Sequence, residues 1–202
     1  MNLQDNTYAA FMLDYAAGAL SPAERLAADL HRALSPEGRR NAEMLDSLGG
    51  LLLESGAGPL ASMPRLTDPD TAPPPRNREP SDLAPYVDRD LLALPWRKSI
   101  FGVKTLPTNM KMVELLRLDP GERAPQHGHG RRDVTVVLVG TFADEFGVYE
   151  RGDLAFAVPG MKHEPRAVGD APCVCLIATE AGRPLRGLLG LFGLAGRRSE
   201  AA

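Results

Sequence analysis

Six prolines within MPRLTDPDTAPPPRNREP, from Met63 to Pro80, constrain this chain more than any other feature. Each proline lacks a backbone N–H and pushes the residue before it out of the helical region, so no regular element can run through the segment. Three in a row, Pro73, Pro74 and Pro75, stiffen it into a semi-extended spacer that should hold its flanks apart. The chain therefore divides into residues 1–58, a linker at 59–80, and residues 81–202.

Before the linker the residue pattern is helical. Residues 8–17, YAAFMLDYAA, are rich in helix formers, place Phe11 and Tyr15 four apart on one face, and meet a stop at Gly18. Ser21, Pro22 and Glu24 then have the form of a capping box with proline at the first helical position. The helix they open runs to about Leu34, with Leu26, Leu30 and Leu34 along one stripe. Ser35 and Pro36 open a third helix carrying Met44, Leu45, Leu48, Leu51 and Leu52, ended by Gly56 and Gly58. This small all-α unit has eight acidic and four basic side chains in residues 1–54. At that size it is marginal alone and wants a partner or a metal staple.

After the linker come short runs with β-branched residues, SIFGVKTL, KMVELLRL, DVTVVLVGTF, DLAFAV and APCVCLIAT, broken by Gly and Pro. Strands at that spacing make a sandwich or small barrel, an all-β unit. No phosphate-loop or serine-hydrolase motif occurs. A net charge of -3 argues against direct nucleic-acid binding. Two cysteines, Cys173 and Cys175, give no disulfide framework, and the first twenty residues lack the basic start of a secretion signal, so a cytoplasmic location is expected. The longest apolar run, Leu188 to Gly196, is too short to cross a bilayer, and the glycine-punctuated tail reads as a strap on the barrel or part of a homodimer contact.

Three of the four histidines lie in the β-rich half. His127 and His129 are two apart, so on a strand both imidazoles share a face; Asp133 keeps that parity, and His163 closes the set from another strand. Three imidazoles and a carboxylate suit one divalent metal, zinc first, with iron, manganese or nickel as alternatives. Glu164, next to His163, reads as an exposed carboxylate, or else as a support for the site's ligands or a general base. Cys173 and Cys175 face one way on their strand, either as two buried small hydrophobes or as a redox-responsive pair near the metal.

The spacing Gly121, His127, His129, Asp133, Gly140 is similar to the first motif of the cupin superfamily, with Asp where Glu is usual. GDLAFAVPGMKH, from Gly152 through Pro159 and Gly160 to His163, resembles the second, with the proline shifted by one and no downstream Asn. That resemblance implies a double-stranded β-helix, the jelly-roll barrel of cupins. With YAAGALS at 15–21, His31, YVDRDLLALPWRKS, Leu106-Pro107-Thr108 and CVCLIAT included, nearly the whole chain resembles the ChrR-type anti-sigma factors. The resemblance implies a helical unit that holds an extracytoplasmic-function (ECF) sigma factor through residues 1–54, and a metal-binding cupin that senses singlet-oxygen-type oxidative stress. The family's N-terminal zinc motif is not kept: Asn6, Ser35 and Gly38 stand where three of its ligands would be, leaving His31 alone, so no zinc is expected there. The regulator reading takes precedence; a cupin metalloenzyme of dioxygenase type acting on a small molecule is the alternative.

Overall fold

The N-terminal helices form where their caps dictate. In the computed structural model, which describes residues 3–54, 80–99 and 103–180, α1 spans Leu3–Ala17, α2 Pro22–Leu34 and α3 Pro36–Glu54. Gly18, at φ +74°, takes the chain out of α1. At the start of α2, Ser21 Oγ accepts from the Glu24 N–H and the Glu24 carboxylate accepts from the Ser21 N–H, so the capping box is closed from both sides. Helix α1 begins five residues before the expected Tyr8. A further helix, α4 (Pro80–Val87), was not foreseen; it opens on the linker's last proline, a favoured first helical residue. The rest of the linker and the tail, with the strap or dimer contact expected there, lie outside the described residues.

Eleven strands follow among the described residues: β1 (Arg97–Lys98), β2 (Lys104–Pro107), β3 (Val113–Leu118), β4 (His127–Gly128), β5 (Asp133–Val139), β6 (Thr141–Ala143), β7 (Val148–Glu150), β8 (Leu154–Ala157), β9 (Lys162–His163), β10 (Arg166–Ala167) and β11 (Cys173–Thr179). A six-stranded antiparallel sheet runs β1-β2-β3-β11-β5-β8, a three-stranded one β10-β6-β7, and β4 pairs with β9 as a short ribbon. They surround an interior filled by Leu118, Val137, Phe142, Ala155, Ala167 and Cys175. This is the all-β barrel that the strand pattern and the cupin resemblance led us to expect.

The two halves are not held apart. On β11, Cys173 and Cys175 belong to the barrel interior while Val174, Leu176 and Ala178 belong to a second core; on β5, Val137 points inward and Val134, Val136 and Leu138 belong to that second core. Strand side chains alternate between faces, so an uninterrupted apolar strand must be covered on both. The outer cover is helical: α2 packs on β11 and β5, α1 on β8, and Phe11, Met12, Leu26 and Leu30 join the outer core. Leu26 and Leu30 are fully buried, each contributing about 1.5–3 kcal/mol by leaving water. The partner expected for the small helical unit is thus supplied, at Leu26 and Leu30, from within the chain. Their partner is the barrel, and the stripe that should have needed a staple is completed within the chain.

Polar contacts fix the register of this docking. Gln4 exchanges hydrogen bonds with the Phe156 backbone, its Nε2 donating to the carbonyl (2.8 Å) and its Oε1 accepting from the N–H (3.1 Å). Buried Glu24 also accepts from Arg132 Nε at 3.0 Å. His31 Nδ1 donates to the Gly152 carbonyl at 2.6 Å; its Nε2 accepts from the Tyr8 hydroxyl (3.0 Å), which in turn accepts from Asn41 (2.8 Å). Gly152 is required twice over. Its φ is +93°, and a Cβ there would meet the Leu34 carbonyl carbon at 2.9 Å. Gly38 likewise leaves room for the His31 ring, which a Cβ would meet at 2.5 Å.

Burial lowers the pKa of His31, against a smaller opposing effect of the Gly152 carbonyl. Below its ordinary value near 6.5 the unfolded chain takes up a proton that the folded chain resists, so stability falls as pH drops through that value toward the lower folded pKa. In metal-free protein, chemical denaturation between pH 7.5 and 5.5 should show a smaller loss of stability for His31→Asn than for the parent, since Asn retains a donor for Gly152 but does not titrate. Equal losses would mean that His31 is not the buried neutral group described.

Candidate metal centre

Three imidazoles meet at the mouth of the barrel because the β4–β9 ribbon sets His127 directly opposite His163. One residue beyond β4, His129 is pinned by backbone bonds, its N–H donating to the Met161 carbonyl (3.2 Å) and its carbonyl accepting from Gly160 (2.9 Å). His127 and His129 are buried on either side of exposed Gly128, the alternation expected of the pair. His129 Nε2 lies 2.9 Å from His163 Nε2, which lies 3.1 Å from His127 Nε2.

The far side of each ring decides what these nitrogens can do. His127 Nδ1 lies 2.8 Å from the Pro125 carbonyl, His129 Nδ1 2.8 Å from Asp133 Oδ2, and His163 Nδ1 2.9 Å from Asp144 Oδ2. Each partner only accepts, so each Nδ1 carries the hydrogen and each Nε2 presents a lone pair. Three lone pairs facing one another without a donor repel. A cation resolves this, and the spacing is close to the roughly 3.3 Å expected of nitrogens around a tetrahedral ion at ~2.0–2.1 Å. The donor set therefore fits a divalent metal, with carbonyl and carboxylate partners orienting the rings as metal-binding histidines require. Burial, against a smaller opposing effect of the Pro125 carbonyl, pushes the His127 pKa down to about 4, which keeps it an unprotonated donor at neutral pH.

Of the four residues expected to gather here, three converge, and the fourth lines the same cavity. Asp133 is buried at the start of β5, but its Oδ2 faces His129 Nδ1 and it is not in the group of convergent donor atoms. Asp144 was missed. It follows β6 in TFADEFG, where nothing in spacing or periodicity distinguishes it from a turn residue, and it does also accept from the Phe146 and Gly147 N–H groups. Glu164 stands outside, ion-paired to Arg123 at 3.4 Å and partly exposed.

Behind the imidazoles lies a cavity of about 50 Å³ with otherwise mostly apolar walls, among them Leu116, Phe142 and Ile177. Cys175 lines it, and its Sγ is 3.6 Å from that of Cys173 where β11 slips register against β5. The hydrogen bond with Cys173 and complete burial raise the Cys175 pKa, so Cys175 is held as a thiol. Removing one imidazole should leave a centre too weak to retain metal: His163→Ala is expected to fall well below half the parent's metal content after gel filtration in dilute chelator, by elemental analysis. Equal content would place the metal elsewhere.

Residues 89–182 match the family described as ChrR Cupin-like domain. The chain is 37% identical over 200 residues to the anti-sigma-E factor ChrR of Cereibacter sphaeroides, covering 92% of this chain and 93% of that protein. It also resembles the crystal structure of Rhodobacter sphaeroides SigE in complex with the anti-sigma ChrR, at a TM-score of 0.63 and 37% identity, across 85% of this chain and 96% of that one. With a helical unit preceding a cupin barrel and likeness over nearly its full length, the chain belongs to the ChrR family of anti-sigma factors.

Proposed function

We propose that this protein holds an ECF-type sigma factor on residues 1–54 and regulates that grip through one divalent metal, zinc first, at His127, His129 and His163. The observation that carries the sigma-binding half is on α3. Met44, Leu48, Leu51 and Leu52 are 61%, 49%, 63% and 55% exposed and recur at i, i+4, i+7 and i+8, one continuous face. A stripe of large apolar side chains in water marks an interaction surface. The relative's crystal structure contains a sigma factor, and the helical unit's eight acidic against four basic side chains suit a basic partner. Since α2 is occupied by the barrel, α3 is the face left for the sigma factor.

The same reading keeps residues 1–58 as the binding unit, 59–80 as the connection and 81–202 as the cupin, acting in the cytoplasm. No described helix is long and apolar enough to cross a membrane. Arg132 and Asp133 are adjacent: one is tied to Glu24 of α2 and the other to His129. Oxidative damage at the metal centre, of the singlet-oxygen type, thus acts at His129, three residues from Arg132, a strut of the helical unit. The small size of the cavity supports a regulator over an enzyme, since sites for drug-sized molecules have volumes of ~300–1,000 Å³.

Leu48→Glu with Leu51→Glu should weaken capture of the cognate sigma factor by at least tenfold while leaving the melting temperature of the free protein within about 2 °C, because both side chains are already in water. A strong chelator should not abolish capture by the parent protein, as the helical unit is held by the barrel. Undiminished capture by the double variant would remove α3 from the interface.

A further inference from the structure

We propose that the arginine-flanked apolar run near the C-terminus, Leu188 to Leu194, covers the exposed face of α3 in the free protein and gives it up when a sigma factor binds. The competition rests on α3 being the sigma-factor surface, as proposed above; the contact itself does not. Met44, Leu48, Leu51 and Leu52 form one stripe of large apolar side chains, all exposed. Left bare, a stripe of that kind drives association between copies, so the free protein gains from a cover of its own.

Charge selects the occupant. Residues 43–54 carry Glu43, Asp46 and Glu54 and no Lys or Arg, so acids stand at both ends of the stripe. Residues 181–202 carry the inverse pattern. Arg183 and Arg186 precede Leu188, Leu189, Leu191, Phe192 and Leu194, and Arg197 and Arg198 follow, against a single acid, Glu200. An apolar run bracketed by bases thus matches an apolar stripe bracketed by acids, and such complementarity decides which apolar surface is accepted. A second copy of α3 would instead bring acids onto acids, which repulsion opposes.

The place where the chain leaves β11 serves the same contact. The Glu180 N–H donates to the Arg132 carbonyl at 2.9 Å, and Arg132 is tied to Glu24 in the first turn of α2. Residue 181 therefore starts beside the helical unit. Residues 181–194, if extended, span roughly 46 Å at ~3.3 Å per residue. Glu24 and Leu48 would be roughly 36 Å apart at ~1.5 Å per residue if α2 and α3 lay end to end, and they are closer than that because the two helices pack on each other. The run is thus long enough to reach the stripe. Being tethered, it competes well with a partner in solution even where its own contact is weak.

Hydrogen exchange on the full-length protein, with molecular mass measured on the same samples, tests the contact. Amides of residues 44–52 should exchange at least fivefold faster in Leu188→Asp with Leu191→Asp than in the parent, and at least twofold faster in Arg197→Glu with Arg198→Glu. Amides of β5 and β11 should keep the parent's rates, and all three proteins should be monomers. Unchanged exchange at 44–52 in both variants would overturn the inference and leave the sigma-factor surface standing. Protection that rises with protein concentration, together with a dimer's mass, would make a second copy the cover and overturn it as well. The Leu188→Asp, Leu191→Asp protein should also capture the cognate sigma factor at least threefold more tightly than the parent. Equal capture despite faster exchange would overturn the competition, and with it the place of α3 in the sigma-factor interface, while leaving the contact within the chain intact.

Discussion

The central sheet is apolar on both faces, and that constraint organises the whole molecule. Inward side chains of β5 and β11 fill the barrel; outward ones, Val134, Val136, Val174 and Leu176, are fully buried only because helices lie on them. A barrel of this composition without its cover would expose a contiguous apolar surface of the kind that drives association. Helices of this size without the sheet would lack a core. Each half supplies what the other is missing, so the interface acts as the inner layer of a single fold.

This gives His31 a structural place in the fold. A closed zinc site staples a small helical unit by bringing several side chains to one point. Here His31 spends its two ring nitrogens on Gly152 and Tyr8, and the Ser35 hydroxyl accepts from the Gly38 N–H at 3.2 Å. That imidazole is part of the seam between helices and barrel. The three-histidine group on the opposite side of the sheet obeys a related logic: acceptors behind the rings of His127, His129 and His163 turn three lone pairs together, an arrangement that a cation would complete.

Most of this was legible from local chemistry. Ser21, Pro22 and Glu24 announced α2 through a capping box, and the two-residue spacing of His127 and His129 announced a shared face. The docking of the halves was not legible, although its trace was present: DVTVVLV and CVCLIAT lack the polar alternation of a strand with one wet face, and only a cover on the second face explains that. Proline density argued for separation because it constrains the linker alone and says nothing of what the flanking parts do to each other. Asp144 was invisible because its role depends on the fold bringing the turn after β6 beside β9. Asp133 was recognised as a member of the site, but sequence parity cannot tell which nitrogen of a neighbouring ring a carboxylate will face.

The account stands or falls on the helices and the barrel forming one cooperative unit without metal in the helical part. Differential scanning calorimetry of the full-length chain in chelator measures this most directly. One endotherm, with calorimetric and van't Hoff enthalpies in agreement, is the expected result. Two separable transitions, one retained by residues 81–202 alone at an unchanged temperature, would contradict it.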